Sequence, residues 1–155
     1  MLSLLTDDVI GAITRSPSLL LITVGNDLRG DDGVGPYIAE NLSPSRGDFF
    51  LIDAGGQPES ILDSAEATGA REVIIIDAAD FGGLPGEARL FGIDAIPETT
   101  MSTHIFPLPV IARLMEKDMG CRVRFLGIQA ATFAFGAPLS EAVKKTADEL
   151  LALRG

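Results

Sequence analysis

Leu19-Leu20-Leu21-Ile22-Thr23-Val24-Gly25-Asn26-Asp27-Leu28-Arg29-Gly30-Asp31-Asp32-Gly33-Val34-Gly35 joins an apolar run to a glycine-rich acidic loop. A continuous apolar run that stops at glycine marks a strand buried on both faces, as in a parallel sheet. Residues 37–42 then read as helix, with a start somewhere in 31–36. Upstream, Leu2, Leu5, Val9 and Ile13 give residues 2–13 one apolar helical face, and Ser16-Pro17-Ser18 breaks it. Downstream, residues 48–52 predict a second strand closed by Asp53-Ala54-Gly55-Gly56, and residues 60–68 a helix with Gly69 as its C-cap. A third strand over 72–76 ends in Asp77, and a fourth over 87–91 follows Pro85-Gly86. An amphipathic helix over 105–118, a last strand over 122–128 and a last helix over 139–153 complete the pattern. Strands spaced by helices imply an α/β fold of three α/β/α layers. Its core is a doubly wound, largely parallel twisted sheet of about five strands. With no repeats or linkers, residues 1–155 form a single domain.

Composition narrows the function. A chain of 155 residues buries roughly two-thirds of its unfolded surface. Its hydrophobic share of 46% with 22% charged is ordinary for a globular chain. The net charge of −10 argues against nucleic acid or an anionic membrane as partner, since both demand basic stripes. A single cysteine, Cys121, leaves no internal disulfide and no multi-thiolate metal site, which fits a reducing cytoplasm. Asp7 and Asp8 interrupt the first residues, so no signal peptide is expected. No apolar run reaches the ~18 residues of a membrane helix.

In open α/β sheets, ligands sit beyond the carboxyl ends of the strands, where strand order reverses. With order 2-1-3, that crevice gathers the loop 25–32 and Asp77. Gly25 and Gly30 have the spacing of a phosphate loop, yet Asp31 and Asp32 stand where lysine and a hydroxyl are required. No G-x-G-x-x-G is completed either, because Ile38 holds the last glycine position. Asp31 or Asp32 can instead cap the following helix. Asp77, closing a run of Val and Ile, needs a cation or a hydrogen-bonded partner to justify its charge, and a loop amide serves as well as a metal. His104, the sole histidine, precedes a helix, where a surface or capping role is the ordinary alternative to ligation.

Three motifs in order resemble those of the [NiFe]-hydrogenase maturation endopeptidases: Asn26, Gly30, Asp31, Asp32, Gly33 and Gly35 in the loop, Ile75-Ile76-Asp77-Ala78, and Met101-Ser102-Thr103-His104. The likeness extends through Phe125-Leu126-Gly127-Ile128-Gln129, with the formate-hydrogenlyase, energy-conserving branch the nearest in pattern. The resemblance implies an aspartyl-type endopeptidase that removes a C-terminal extension from a hydrogenase large-subunit precursor once nickel is inserted. It implies metal ligands at Asp32, Asp77 and His104, catalytic roles for Asp32 and Asp77, and nickel carried by the substrate. Gly25, Asn26, Gly30, Asp31, Asp53 and Gln129 are the expected substrate-binding set. Turn chemistry explains Asp53 equally well, and the family's usual proline after the glutamine is Ala130 here.

Residue chemistry agrees in kind. Two carboxylates and an imidazole suit a divalent first-row ion, without selecting nickel. Docked metal orients the scissile bond, and one carboxylate acts as general base. Cys121 reads as a buried thiol without a base. Two rivals differ in class: a non-catalytic nickel chaperone using the same ligands, and a magnesium-dependent phosphohydrolase using Asp31, Asp32 and Asp77. The second lacks a cation near the crevice other than Arg29.

Overall fold

The computed structural model describes residues 5–14, 18–42, 49–55, 61–97 and 107–154. Its elements are α1 (Asp7–Thr14), β1 (Leu19–Val24), α2 (Val34–Asn41), β2 (Phe50–Gly55), α3 (Ile61–Thr68), β3 (Glu72–Ala79), β4 (Ala88–Phe91), α4 (Leu108–Met119), β5 (Arg122–Gln129) and α5 (Glu141–Arg154). A 3-10 turn, Gly30–Gly33, precedes α2.

The five strands run in the order β2-β1-β3-β5-β4, parallel except for β4, which pairs antiparallel with β5. All six residues of β1 are buried. Alternation along the strands feeds two cores. Leu19, Leu21, Ile74, Ile76, Leu126 and Ile128 face α1, α2 and α5. Leu20, Ile22, Val73, Ile75, Val123 and Phe125 face α3 and α4. Together these make the three-layer α/β/α sandwich expected from the strand pattern. No described helix is long and apolar enough to cross a membrane.

Two strands run further than their apolar composition implies. β3 does not stop before Asp77; Asp77, Ala78 and Ala79 pair with Gly127, Ile128 and Gln129 of β5, so backbone pairing carries the acid into the sheet. β2 begins at Phe50 and includes Asp53 and Gly55, which pair with Thr23 and Val24 across an irregular register. In phase with Val73 and Ile75, Asp77 belongs to the α3–α4 face. α4 leads through Gly120 directly into β5, so it runs back along the sheet and its first turn lies at the carboxyl rim.

β1 hands the chain to β2 on one side while β3 lies on the other, which puts the switch point where β1 ends. Gly35 is what brings α2 against that end: a Cβ there would lie 2.2 Å from the Val24 carbonyl oxygen. Gly35→Ala is expected to destabilise the fold by about 2–3 kcal/mol, since neither backbone can yield without strain. Gly92, with nothing within 4 Å of an added Cβ, tolerates alanine within about 0.5 kcal/mol. Urea unfolding of both variants checks the contrast; equal midpoints contradict it.

Candidate functional site

The loop after β1 closes on itself. Asn26 accepts a bond from Leu28 N–H at its Oδ1 (2.9 Å) and from Arg29 N–H at its carbonyl (3.1 Å), while Asp32 N–H donates to the Arg29 carbonyl (3.0 Å). The Asn26 amide in turn donates to Asp32 Oδ2 at 2.8 Å. Gly25 (φ 137°) permits this return: a Cβ there would sit 2.1 Å from the Asp32 carbonyl oxygen. Gly30 (φ 55°) also packs close against Thr132, with 2.7 Å from an added Cβ to its carbonyl oxygen.

The paired acids have opposite surroundings. Asp31 is fully buried, and its carboxylate accepts four hydrogen bonds: Ala131 N–H (2.8 Å), Thr132 N–H (3.2 Å), Ser140 N–H (2.7 Å) and Ser140 Oγ–H (3.0 Å). Asp32 is buried too, but only its Oδ2 is engaged; Oδ1 has no hydrogen-bond partner among the described residues. Burial pushes the Asp32 carboxyl above its ordinary range, against the smaller downward pull of the Asn26 amide and the Arg29 charge. Neither acid caps α2, which starts from Gly33 without a side-chain cap bond.

Asp77 is fully buried, one position beyond the Thr23–Ile76 pair and so level with the last residue of β1. The turn holding Asp32 packs on β3. Both carboxylates therefore belong to the switch-point rim. His104 lies outside the described residues; the helix it precedes, α4, begins at this rim and covers the Asp77 face. Among the described residues, no three His, Cys, Asp or Glu side chains gather to hold a metal ion.

The expected substrate-binding set divides. Asp53 is exposed, with its Oδ1 accepting from Thr23 Oγ (3.2 Å) and Gly55 N–H (3.2 Å). The Gln129 amide is saturated: Oε1 accepts from Phe81 N–H (2.9 Å) and Gly83 N–H (3.0 Å), and Nε2 donates to Asp80 (3.1 Å) and the Ala130 carbonyl (3.0 Å). Gln129 thus shapes the loop after β3, and Asp31 the loop after β5; their polar atoms are committed to the protein rather than turned to a groove. Gly25, Asn26 and Gly30 serve to build the turn. Ser140, which completes the Asp31 shell, escapes the sequence reading; its one legible signal is its place just before a helix. Cys121 is buried, donates to the Met115 carbonyl (3.6 Å), and has its thiol pushed up by burial, the opposite of nucleophile activation. A groove of about 550 Å³ beside Phe91, Glu116, Arg122 and Arg124 lies at the amino end of β5, away from Asp31, Asp32 and Asp77.

Residues 36–153 match the family model described as HycI, hydrogenase maturation protease. The chain is 36% identical over 127 residues to the hydrogenase 3 maturation protease of Escherichia coli K12, covering 81% of each. It is similar to the crystal structure of a [NiFe] hydrogenase maturation protease HycI from Thermococcus kodakarensis KOD1. That match has a TM-score of 0.81 at 27% identity and covers 95% of this chain and 96% of the other. The solution structure of the endopeptidase HycI from Escherichia coli aligns with a TM-score of 0.75 at 33% identity, covering 87% of each chain.

The two acids should separate experimentally. Asp31→Asn turns an acceptor into a donor opposite backbone N–H groups and is expected to cost about 2 kcal/mol. Amide exchange should quicken at Ala131, Thr132 and Ser140 while β1 stays protected. Asp32→Asn is expected to be more stable than the parent at pH 7. The raised carboxyl contributes stability below the unfolded value near 3.8 and loses it as pH rises through the folded value, so the variant's advantage vanishes in acid. Unfolding curves across pH check this; a variant less stable at pH 7 and equal at pH 3 contradicts it.

Proposed function

This chain belongs to the hydrogenase maturation protease family and is a peptidase, and we propose that it removes the C-terminal extension of a [NiFe]-hydrogenase large-subunit precursor after nickel insertion. The nickel is part of the substrate, and Asp32, Asp77 and His104 are the groups that recognise it. The observation that carries this reading is Asp32 Oδ1: a buried carboxylate oxygen at the switch point, without a hydrogen-bond partner among the described residues. A buried anion is costly unless a cation or donors compensate it. A divalent ion brought by a partner supplies that compensation only when the partner is loaded. Nickel-dependent recognition then follows from electrostatics.

Two carboxylates and one imidazole leave coordination positions for ligands that the precursor itself contributes. Docking in this way fixes the extension peptide relative to the acids, which removes most of the orientational part of the barrier. The remaining task is to take a proton from the attacking water, and one of the two carboxylates does so. Burial assists, because a carboxyl with a raised pKa is a stronger base once ionised. The partner, the metal and a cytoplasmic setting are parts of one proposal: a protein-processing step carried out on a folded, metal-bearing precursor.

Mass spectrometry of the nickel-loaded precursor mixed with this protein is expected to show loss of the extension, while nickel-free precursor keeps its full mass. His104→Ala, Asp32→Asn and Asp77→Asn should each slow processing at least about a thousandfold. Processing at the parent rate by His104→Ala, or equal cleavage with and without nickel, rejects the reading. A precursor that is bound but never shortened supports the nickel-chaperone alternative.

A further inference from the structure

Among the described residues, three of the most exposed large apolar side chains are Leu28 (57% exposed), Leu84 (70%) and Phe135 (73%). They lie on the connections that leave the carboxyl ends of β1, β3 and β5, one on each central strand. Leu28 and Phe135 are fastened to each other through the backbone. Gly136 N–H donates to the Leu28 carbonyl at 2.7 Å, Arg29 and Phe135 form an antiparallel bridge, and the Arg29 guanidinium lies 5.8 Å from the Phe135 ring centre. Gly30 N–H donates to the Ala137 carbonyl (3.1 Å), and Asp31 holds Ala131, Thr132 and Ser140. Phe135 is therefore held out into solvent by a braced connection. Exposing a phenyl and an isobutyl group costs hydration free energy that no burial among the described residues recovers.

We propose that Leu28 and Phe135 form a docking ridge for the folded body of the large-subunit precursor, a polypeptide surface with an apolar recess. This rests on the function proposed above. Continuity with the acid turn selects the occupant: Leu28 stands between Asn26, which holds Asp32, and Asp32 itself. A polypeptide seated at Asp32 meets a turn that also carries Leu28, with Phe135 fastened beside it. A second copy of this chain seated there would obstruct that approach. The ridge binds without entering the chemistry, so its contribution is the same in ground and transition states and shows in KM.

The test uses the full chain and nickel-loaded precursor, comparing the parent with the double variant Leu28→Ser, Phe135→Ser. The expected result is a KM raised at least tenfold with kcat within twofold, at an unchanged melting temperature. Phe50→Ser, at the amino end of β2, should leave KM unaltered. If the double variant melts early, the two single variants are compared instead, and each must raise KM. An unchanged KM overturns the ridge, as does an equal rise in Phe50→Ser, or a dimer of the free protein in sedimentation that the double variant abolishes. Parent turnover in the same assay reports separately on the underlying function: without it both readings fall, and with it the variant's KM judges the ridge alone.

Discussion

Two neighbouring carboxylates buried in a single 3-10 turn are the constraint around which this molecule is arranged. Burying an anion is unfavourable, and burying two side by side doubles the difficulty. The chain answers it unequally. Asp31 receives three backbone N–H groups and a hydroxyl from residues 131–140, a full shell gathered across a hundred positions of sequence. Asp32 receives one amide, from Asn26, and its other oxygen has no partner among the described residues. The satisfied acid braces the turn, and the unsatisfied one is presented by it.

The α/β fold supplies the place for that arrangement. Because β1 sits between β2 and β3, its carboxyl end opens at the point where the strand order reverses. Glycines at 25 and 35 let the chain double back within touching distance of its own backbone, so the turn is pinned against β1 and rests on β3. β3 then brings Asp77 to the same level by backbone pairing with β5. Rigid strands on one side and a cross-braced loop on the other hold the acids before any substrate arrives. Pre-organisation of that kind is what a recognition site for a metal-bearing partner requires.

Most of this was legible in the residues. The apolar runs at 19–24 and 72–76 located the two central strands, and the position of the fourth strand was read within a residue. Strand ends were less legible: Asp77 and Asp53 look like terminators by composition, yet ladder hydrogen bonds extend both strands through them. The motif identified the acid pair but could not tell the two acids apart, since the residues that satisfy Asp31 lie a hundred or more positions away. The internal bonding of Gln129 is illegible for the same reason. Its partners, Phe81 and Gly83, contribute backbone N–H groups, and backbone donors leave no trace in a sequence. Long-range hydrogen bonding to the main chain is what pattern reading misses.

The central claim is that Asp32 and Asp77 become ligands of a metal brought by another protein. Nickel K-edge X-ray absorption tests it most directly, recorded on loaded precursor alone and in complex with this protein before cleavage. Complex formation should add oxygen or nitrogen scatterers to the nickel shell, and the added shell should disappear with an Asp32→Asn, Asp77→Asn protein that still binds. A nickel spectrum that does not change on complex formation contradicts the claim.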